Sequence, residues 1–295
     1  MGQPEAYPAM PLHVLIACRN RQDLTARAIT AFAAAATAVG ANADFTVFDD
    51  GSTDGTAEAL AALELPVVRI GGDGSAFWSR SMAEAEDHVL HVYGDDGYVV
   101  WLNDDVELDG DFLEVALAAA QSHPSAVLVG AMRDPDTGRL TYSGFRSAGF
   151  HPLRGVQVEP NGTLQSVDTL NGNLVFVPTK IARALGGIDG SLSHFGADTD
   201  YGFRVREEGF ELLLLPRMVG SCARNPVRPL GRVMDDWRTF VGVKGSGNYN
   251  TLKRLLRKRN PRTWPGYIAV TYSLWWARRA WRQLAPEVPG QGRRH

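Results

Sequence analysis

Two cysteines in 295 residues, Cys18 and Cys222, are too few and too far apart for a disulfide framework. They also lack the paired spacing of a zinc site, so a reducing, cytoplasmic setting is expected. No uncharged stretch is long enough to cross a bilayer, which excludes a spanning helix. The N-terminus lacks a basic segment followed by an apolar core, so no secretory signal is expected. Internal repeats and low-complexity tracts are missing too. Acidic residues are scarce in one region only. From Arg224 to His295 stand 16 Lys and Arg against 3 Asp and Glu, leaving 14 against 30 elsewhere. That split predicts a body with its own chemistry and a tail that meets an anionic surface. With 44% hydrophobic and 21% charged residues, the chain is otherwise an ordinary globular composition.

What is present is an alternation of apolar runs and helical periodicity. His13 to Ala17, Phe45 to Phe48, Val67 to Ile70, Tyr98 to Leu102 and Ala126 to Met132 read as strands. Between them, Asp23 to Val39, Thr56 to Leu63, Ala76 to Val92 and Asp111 to Ser122 read as helices. This pattern predicts an α/β domain with a mostly parallel central sheet flanked by helices. Residues 138–177 break into short strand-like pieces. Pro178 to Leu185 and Thr199 to Glu208 read as helices, and Glu211 to Leu215 as a strand ended by Pro216. The domain is expected over residues 1–225, with a basic, aromatic-rich helical extension over 226–295.

The polar loops fall after the strands, where open α/β sheets bind ligands. Trp101-Leu102-Asn103-Asp104-Asp105 ends a buried strand in adjacent carboxylates, which repel each other and resist desolvation. A hard divalent cation removes that conflict, and a polar turn is the competing reading. Asp49-Asp50-Gly51-Ser52-Thr53-Asp54-Gly55 looks partly like a calcium loop, but the closing Glu would fall at Ala61, which excludes calcium. Its carboxylates suit ribose hydroxyls or base N–H groups, although Ser52 to Asp54 also fit a turn and helix cap. Gly71-Gly72-Asp73-Gly74-Ser75 permits close backbone approach to a ligand at Gly74, and Phe77 and Trp78 follow as core or ligand-facing rings. It matches neither the dinucleotide fingerprint nor the P-loop. In Gly196-Ala197-Asp198-Thr199-Asp200-Tyr201-Gly202-Phe203-Arg204, the spacing of Asp200 and Arg204 predicts an ion pair. Asp198 is left to face a cleft or to cap the helix.

Together these motifs resemble the family 2 glycosyltransferases with the GT-A fold, of the rhamnosyltransferase and galactofuranosyltransferase kind. VFDDGSTDGT is similar to that family's nucleotide-binding loop, WLNDDV to its DXD-type metal motif, and GADTDYGFR to its EDxDxxxR segment. The resemblance runs from about His13 to Asn225. It implies an inverting transfer of a sugar from a nucleoside diphosphate sugar to a hydroxyl of a glycan or lipid-linked glycan. Asp198 would be the general base. Ala17, Arg19, Asp49, Asp50, Gly74, Asn103 and Asp104 would border the donor nucleotide and sugar. Trp78, Asn171, Gly172, Asn173 and Asp200 would lie at the donor and acceptor sugars. Asp105 would bind Mg²⁺ or Mn²⁺. Cys222 stands near the slot where relatives supply a metal-binding His, yet a thiolate suits Mg²⁺ poorly, so direct ligation is not favoured. Ala197 replaces the first acidic residue of the family segment.

Two other functions compete. A sugar nucleotidyltransferase would need a Gly-rich loop after the first strand, and Cys18-Arg19-Asn20-Arg21 has no glycine. A nucleotide-sugar-binding protein without catalysis would account for Ala197 and Cys222. In the tail, Leu252 to Arg259 is amphipathic and basic, and Trp264, Trp275, Trp276 and Trp281 alternate with arginines. That mixture suits an anionic headgroup region, predicting peripheral contact through 250–285 at the inner face of the cytoplasmic membrane. A helical cap or a homo-oligomer contact is the other use of the same face. Nucleic acid is not expected, because the body is acidic. The setting implied by the resemblance is polysaccharide or cell-wall biosynthesis.

Overall fold

The computed structural model describes residues 10–192, 195–224 and 229–284. The expected boundary at 225–226 lies outside them, as do Asn225 and residues 285–295. The chain clusters into two compact units, Met1–Pro226 and Val227–His295.

In the first unit β1 (Pro11–Cys18), α1 (Gln22–Ala38), β2 (Asn42–Asp49), α2 (Thr56–Ala61), β3 (Val67–Gly71), α3 (Phe77–Val92) and β4 (Tyr98–Leu102) alternate. β1 pairs in parallel with β2 and β4, and β2 with β3. Strands covered on both faces need apolar residues at every position, and all five residues of β4 are buried. α1 covers one face with Ala28, Ile29, Phe32 and Ala36, where Phe32 meets Phe45 edge-on. The chain continues through β5 (Glu107–Leu108), α4 (Phe112–Ser122) and β6 (Ala126–Arg133). The irregular region supplies β7 (Leu140–Tyr142), β8 (Phe145–Ser147), β9 (Gly155–Gln157), β10 (Gln165–Ser166) and then β11 (Leu174–Pro178). After α5 (Thr179–Leu185) and α6 (Ala197–Glu207), β12 (Glu211–Ser221) closes the unit.

The main sheet runs β10-β12-β6-β11-β4-β1-β2-β3. β11 lies antiparallel between β4 and β6, so its first residue meets the last residue of β4, Leu174 against Leu102. This one reversal brings residues 171–173 to the edge where β1, β2 and β4 end. β12 does not stop at Pro216 as its sequence suggests. It continues to Ser221 with register shifts between Leu214 and Gly220, because a bulge tolerates a residue with no N–H. The extension carries Cys222 to the same edge.

The second unit holds α7 (Val233–Val241), α8 (Tyr249–Arg259) and α9 (Trp264–Leu284). Asn248 caps α8 by accepting from the Thr251 N–H at 3.1 Å, and Leu252, Leu255 and Leu256 form its buried stripe. Trp237 of α7 packs on Tyr272, Trp275 and Trp276 of α9 with ring centroids 5.2, 5.0 and 5.2 Å away. Among the described residues no helix is long and apolar enough to cross a membrane.

Candidate active site

The polar edge is built from four loops. After β2, buried Asp50 turns its carboxylate onto the backbone N–H groups of Gly74 (2.8 Å), Ala76 (3.1 Å) and Phe77 (3.2 Å). It thereby organises the glycine loop rather than presenting an open carboxylate. Asp49, equally buried, accepts from Ser52 N–H at 2.9 Å and Arg69 Nη1 at 2.8 Å. Arg19, just past Ala17 and Cys18 of β1, donates to the Gly74 carbonyl. Gly74 has φ +89°, a conformation that favours glycine. Asn20 (φ 52°) and Phe77 (φ 54°) adopt the left-handed region in the two loops that meet here, ordinary for Asn and rare for Phe.

From the glycine loop the chain of contacts runs on. Trp78 Nε1 donates to Asn103 Oδ1 at 2.8 Å, and Asn103 Nδ2 donates to Asn173 Oδ1 at 2.6 Å. Gly172 lets the Trp78 ring approach, since an added Cβ would lie 2.7 Å from it. The Gly172 N–H donates to Asp198 Oδ2 at 3.3 Å, and Thr199 N–H to Asp198 Oδ1 at 2.7 Å. Asp198 thus sits in the first turn of α6, against residues 171–173, with part of its side chain still reaching solvent. The surrounding protein strips water from its carboxylate and raises its pKa, against the lowering effect of the Thr199 and Gly172 N–H groups. Asn171 Oδ1 and Asn173 Nδ2 are buried without a hydrogen-bond partner, unusual for native polar atoms unless a ligand meets them.

Asp200 forms the ion pair expected of its spacing, 2.8 Å from Arg204 Nε. Arg204 also donates to the carbonyls of Leu185 and Gly187. Tyr201 of the same helix meets buried Trp101 edge-on at 4.7 Å, and Trp101 meets Trp78 at 6.0 Å. One aromatic stack therefore underlies both the Asp198 helix and the end of β4.

At that end Asp104 is 5% exposed and Asp105 43%. Arg21 Nη1 reaches both, at 2.6 Å from Asp104 Oδ1 and 3.2 Å from Asp105 Oδ2. Burial drives the Asp104 pKa up to about 6, with Arg21 opposing and Asp105 reinforcing the rise. The Thr25 hydroxyl lowers that pKa, but neither it nor Asp104 Oδ2 has a partner of normal hydrogen-bond geometry. These donors fit a hard divalent cation: a solvent-exposed carboxylate on Asp105 and an unpartnered oxygen on Asp104. Among the described residues no three His, Cys, Asp or Glu side chains gather as a complete metal set. Phosphate oxygens or water would have to complete a shell, the usual arrangement for Mg²⁺. Cys222 fits less well. Its thiol donates to Asp105 Oδ1 at 3.8 Å, and burial, then the Asp105 charge, pushes it up to about 12.

A cavity of about 330 Å³ opens beside Asp104, Asp105 and Cys222, floored by α1 residues including Arg27. Asp50 and Asp198 do not line it. What joins the three acidic loops is the side-chain relay through Trp78, Asn103 and Asn173. Two residues of this edge were not singled out by the motifs. Arg21 lies 83 residues from Asp104 in the chain, so only the fold pairs them. Glu86, fully buried on α3, accepts from Ile188 N–H at 2.6 Å and Tyr201 hydroxyl at 3.4 Å, and burial raises its pKa to about 7. Its signal was readable as a charge on the buried face of Met82, Ala85 and Val89.

The sequence model of glycosyltransferase-like family 2 matches residues 8–257. A comparison with curated proteins finds no match. Among solved structures, S. aureus TarS 1-349 is similar at 15% identity and TM-score 0.53, over 72% of this chain and 60% of that one. GalNAc-T7 with UDP, GalNAc and Mn²⁺ aligns at 13% identity and TM-score 0.59, over 84% of this chain and 47% of that one. The mannosyltransferase PcManGT from Pyrobaculum calidifontis, in complex with GDP-Man and Mn²⁺, aligns at 15% and TM-score 0.53, over 97% and 79%. The chain thus spans less than two thirds of the TarS fragment and about half of GalNAc-T7. Identities this low establish a shared GT-A fold and nothing finer.

Proposed function

The chain belongs to glycosyltransferase-like family 2, and from that premise we propose that it transfers a sugar from a nucleoside diphosphate sugar to an acceptor hydroxyl, with inversion. The acceptor is a glycan or lipid-linked glycan. The observation that carries the reading is the bond from Asn103, the chain neighbour of Asp104–Asp105, to Asn173, whose neighbour Gly172 donates to Asp198. It supports a reading in which a carboxylate that would hold a cation and a half-buried base share one sheet edge.

Asp198 takes the proton of the acceptor hydroxyl as that oxygen forms its bond to the anomeric carbon. The bond from that carbon to the diphosphate oxygen breaks, and its electron pair leaves with the diphosphate. Two N–H donors hold the carboxylate in place, and its raised pKa strengthens it as a base. Asp105 and Asp104 would hold Mg²⁺ or Mn²⁺, which would supply Lewis-acid neutralisation of the departing diphosphate. Arg19, Gly74 and the backbone at Ala17 border the nucleotide, with Asp49 and Asp50 shaping that pocket from beneath. Asn171 and Asn173 offer their unpartnered amide atoms to the sugars. Residues 250–285 give this unit its membrane-facing side, supported by Trp281 at 72% exposure beside exposed Arg278 and Arg282.

A thermal-shift panel of nucleotide sugars with Mn²⁺ or Mg²⁺, followed by assay of diphosphate release with acceptor, tests the reading. One donor should stabilise the protein in a cation-dependent way and then turn over. Stabilisation without release, whatever the acceptor, would favour a non-catalytic nucleotide-sugar binder instead.

A further inference from the structure

The Arg21 side chain already occupies the charge position that a divalent cation would take. One nitrogen, Nη1, bonds both Asp104 and Asp105, and the remaining N–H groups have no acceptor among the described residues. The backbone beneath it is fixed. Asn20 N–H donates to Ser52 Oγ at 2.8 Å, Asn20 Oδ1 accepts from Thr53 N–H at 2.8 Å, and the Arg21 carbonyl accepts from Thr25 N–H at 2.9 Å. Among the described residues the guanidinium itself is held only by the two carboxylates. It is 44% exposed and sits on a flexible stem, so rotamer change alone can return it to water. Two adjacent carboxylates at a strand end repel each other, and a positive neighbour shared by both eases that repulsion.

We infer that Arg21 is an internal counter-cation that competes with the divalent metal for the Asp104–Asp105 pair and so sets how strongly the protein takes up metal in the absence of donor. This rests on Asp105 being the metal ligand proposed above. Without the nucleotide's phosphates to add ligands and charge, the guanidinium holds the pair. With them, the cation does. The protein is thereby spared a loosely bound metal while no donor is present.

The test is Mn²⁺ uptake by full-length protein at pH 8, read from the electron paramagnetic resonance signal of free Mn²⁺, with no nucleotide present. Arg21→Gln should bind Mn²⁺ at least about tenfold more tightly than wild type. Arg21→Lys, which keeps the charge, should bind close to wild type. Equal or weaker uptake by Arg21→Gln, at an unchanged unfolding temperature, overturns the proposal. If that variant does not fold, wild type alone decides it by ¹⁵N NMR of arginine side chains. The Arg21 signal should be bonded and slowed in free protein and released on adding Mg²⁺ with a nucleoside diphosphate. A signal unchanged by that addition, with uptake of Mg²⁺ shown, overturns it. If neither wild type nor variants bind Mn²⁺ even with nucleoside diphosphate, the cation site itself fails and this proposal falls with it.

Discussion

Two arginine–aspartate contacts lie close to the same sheet edge and have opposite characters. Arg204 is 20% exposed, bonds Asp200, and hands its other nitrogens to the carbonyls of Leu185 and Gly187. Every direction of the guanidinium fork is used, and its charge lies 5.1 Å over the Tyr201 ring. Arg21 uses one nitrogen for two carboxylates and leaves the rest to solvent. The first contact is a fastener for the turn before α6 and for α6 itself. The second, on the reading proposed above, is a placeholder for another cation. The same residue types act differently because burial and the number of satisfied donors differ, not because the charges do.

The comparison can be broken most severely at Asp198, two residues before Asp200 on the same helix. Asp198→Asn should lower turnover by about 10²–10⁴-fold while donor affinity and unfolding temperature stay close to wild type. In the wild type the acid limb of kcat/KM should lie above the ordinary carboxylate range, following the raised pKa of Asp198. Normal turnover in Asp198→Asn, measured as diphosphate release, would remove the base assignment. Next in size is Arg204→Met, which removes the buried ion pair to Asp200 within α6. A loss of roughly 2–4 kcal/mol in denaturant unfolding is expected, against less than about 1 kcal/mol for Arg21→Gln. Similar losses for the two would erase the distinction drawn above.

A smaller effect concerns Glu86, which joins α3 to the turn at Gly187–Ile188 and to Tyr201. Its folded pKa is about 7 against an ordinary 4.5, so the folded protein keeps a proton that the unfolded chain releases. The stability from this group is complete below about pH 4.5 and is lost as pH rises through about 7. Glu86→Gln should therefore be less sensitive to pH than wild type between pH 5 and 8, and relatively more stable at the upper end. Parallel unfolding curves for the two across that range would contradict this. The smallest effect is expected at Trp281, whose ring is exposed. Trp281→Ala should weaken co-sedimentation with anionic liposomes by less than about tenfold and leave folding unchanged. Binding indifferent to this change and to Arg278→Gln would dispose of the membrane-facing role.

The elements were legible because their signals are local. Tyr98 to Leu102 is a strand with both ends where the apolar run begins and stops, and the four-residue spacing of Asp200 and Arg204 gave their ion pair. What the chain order hid was long-range. The reversal at β11 sets Asn173 beside Asn103, and no periodicity marks that contact across 70 residues. Asp49 and Asp50 read as open ligands, yet in the fold their oxygens meet Ser52, Arg69 and the glycine-loop backbone. Pro216 read as a strand end because a missing N–H is a local signal, while the bulge that accommodates it depends on β6.

The central claim is that the ends of β4, β11 and the start of α6 make one site around a cation and a diphosphate. Crystals grown with Mn²⁺ and a nucleoside diphosphate test it through anomalous scattering at the manganese edge. The account predicts a peak bonded to Asp105, with the diphosphate between it and the Asn171–Asn173 segment and Arg21 turned away. A peak on another face of the molecule, or a nucleotide bound out of reach of Asp105 and Asp198, would contradict it.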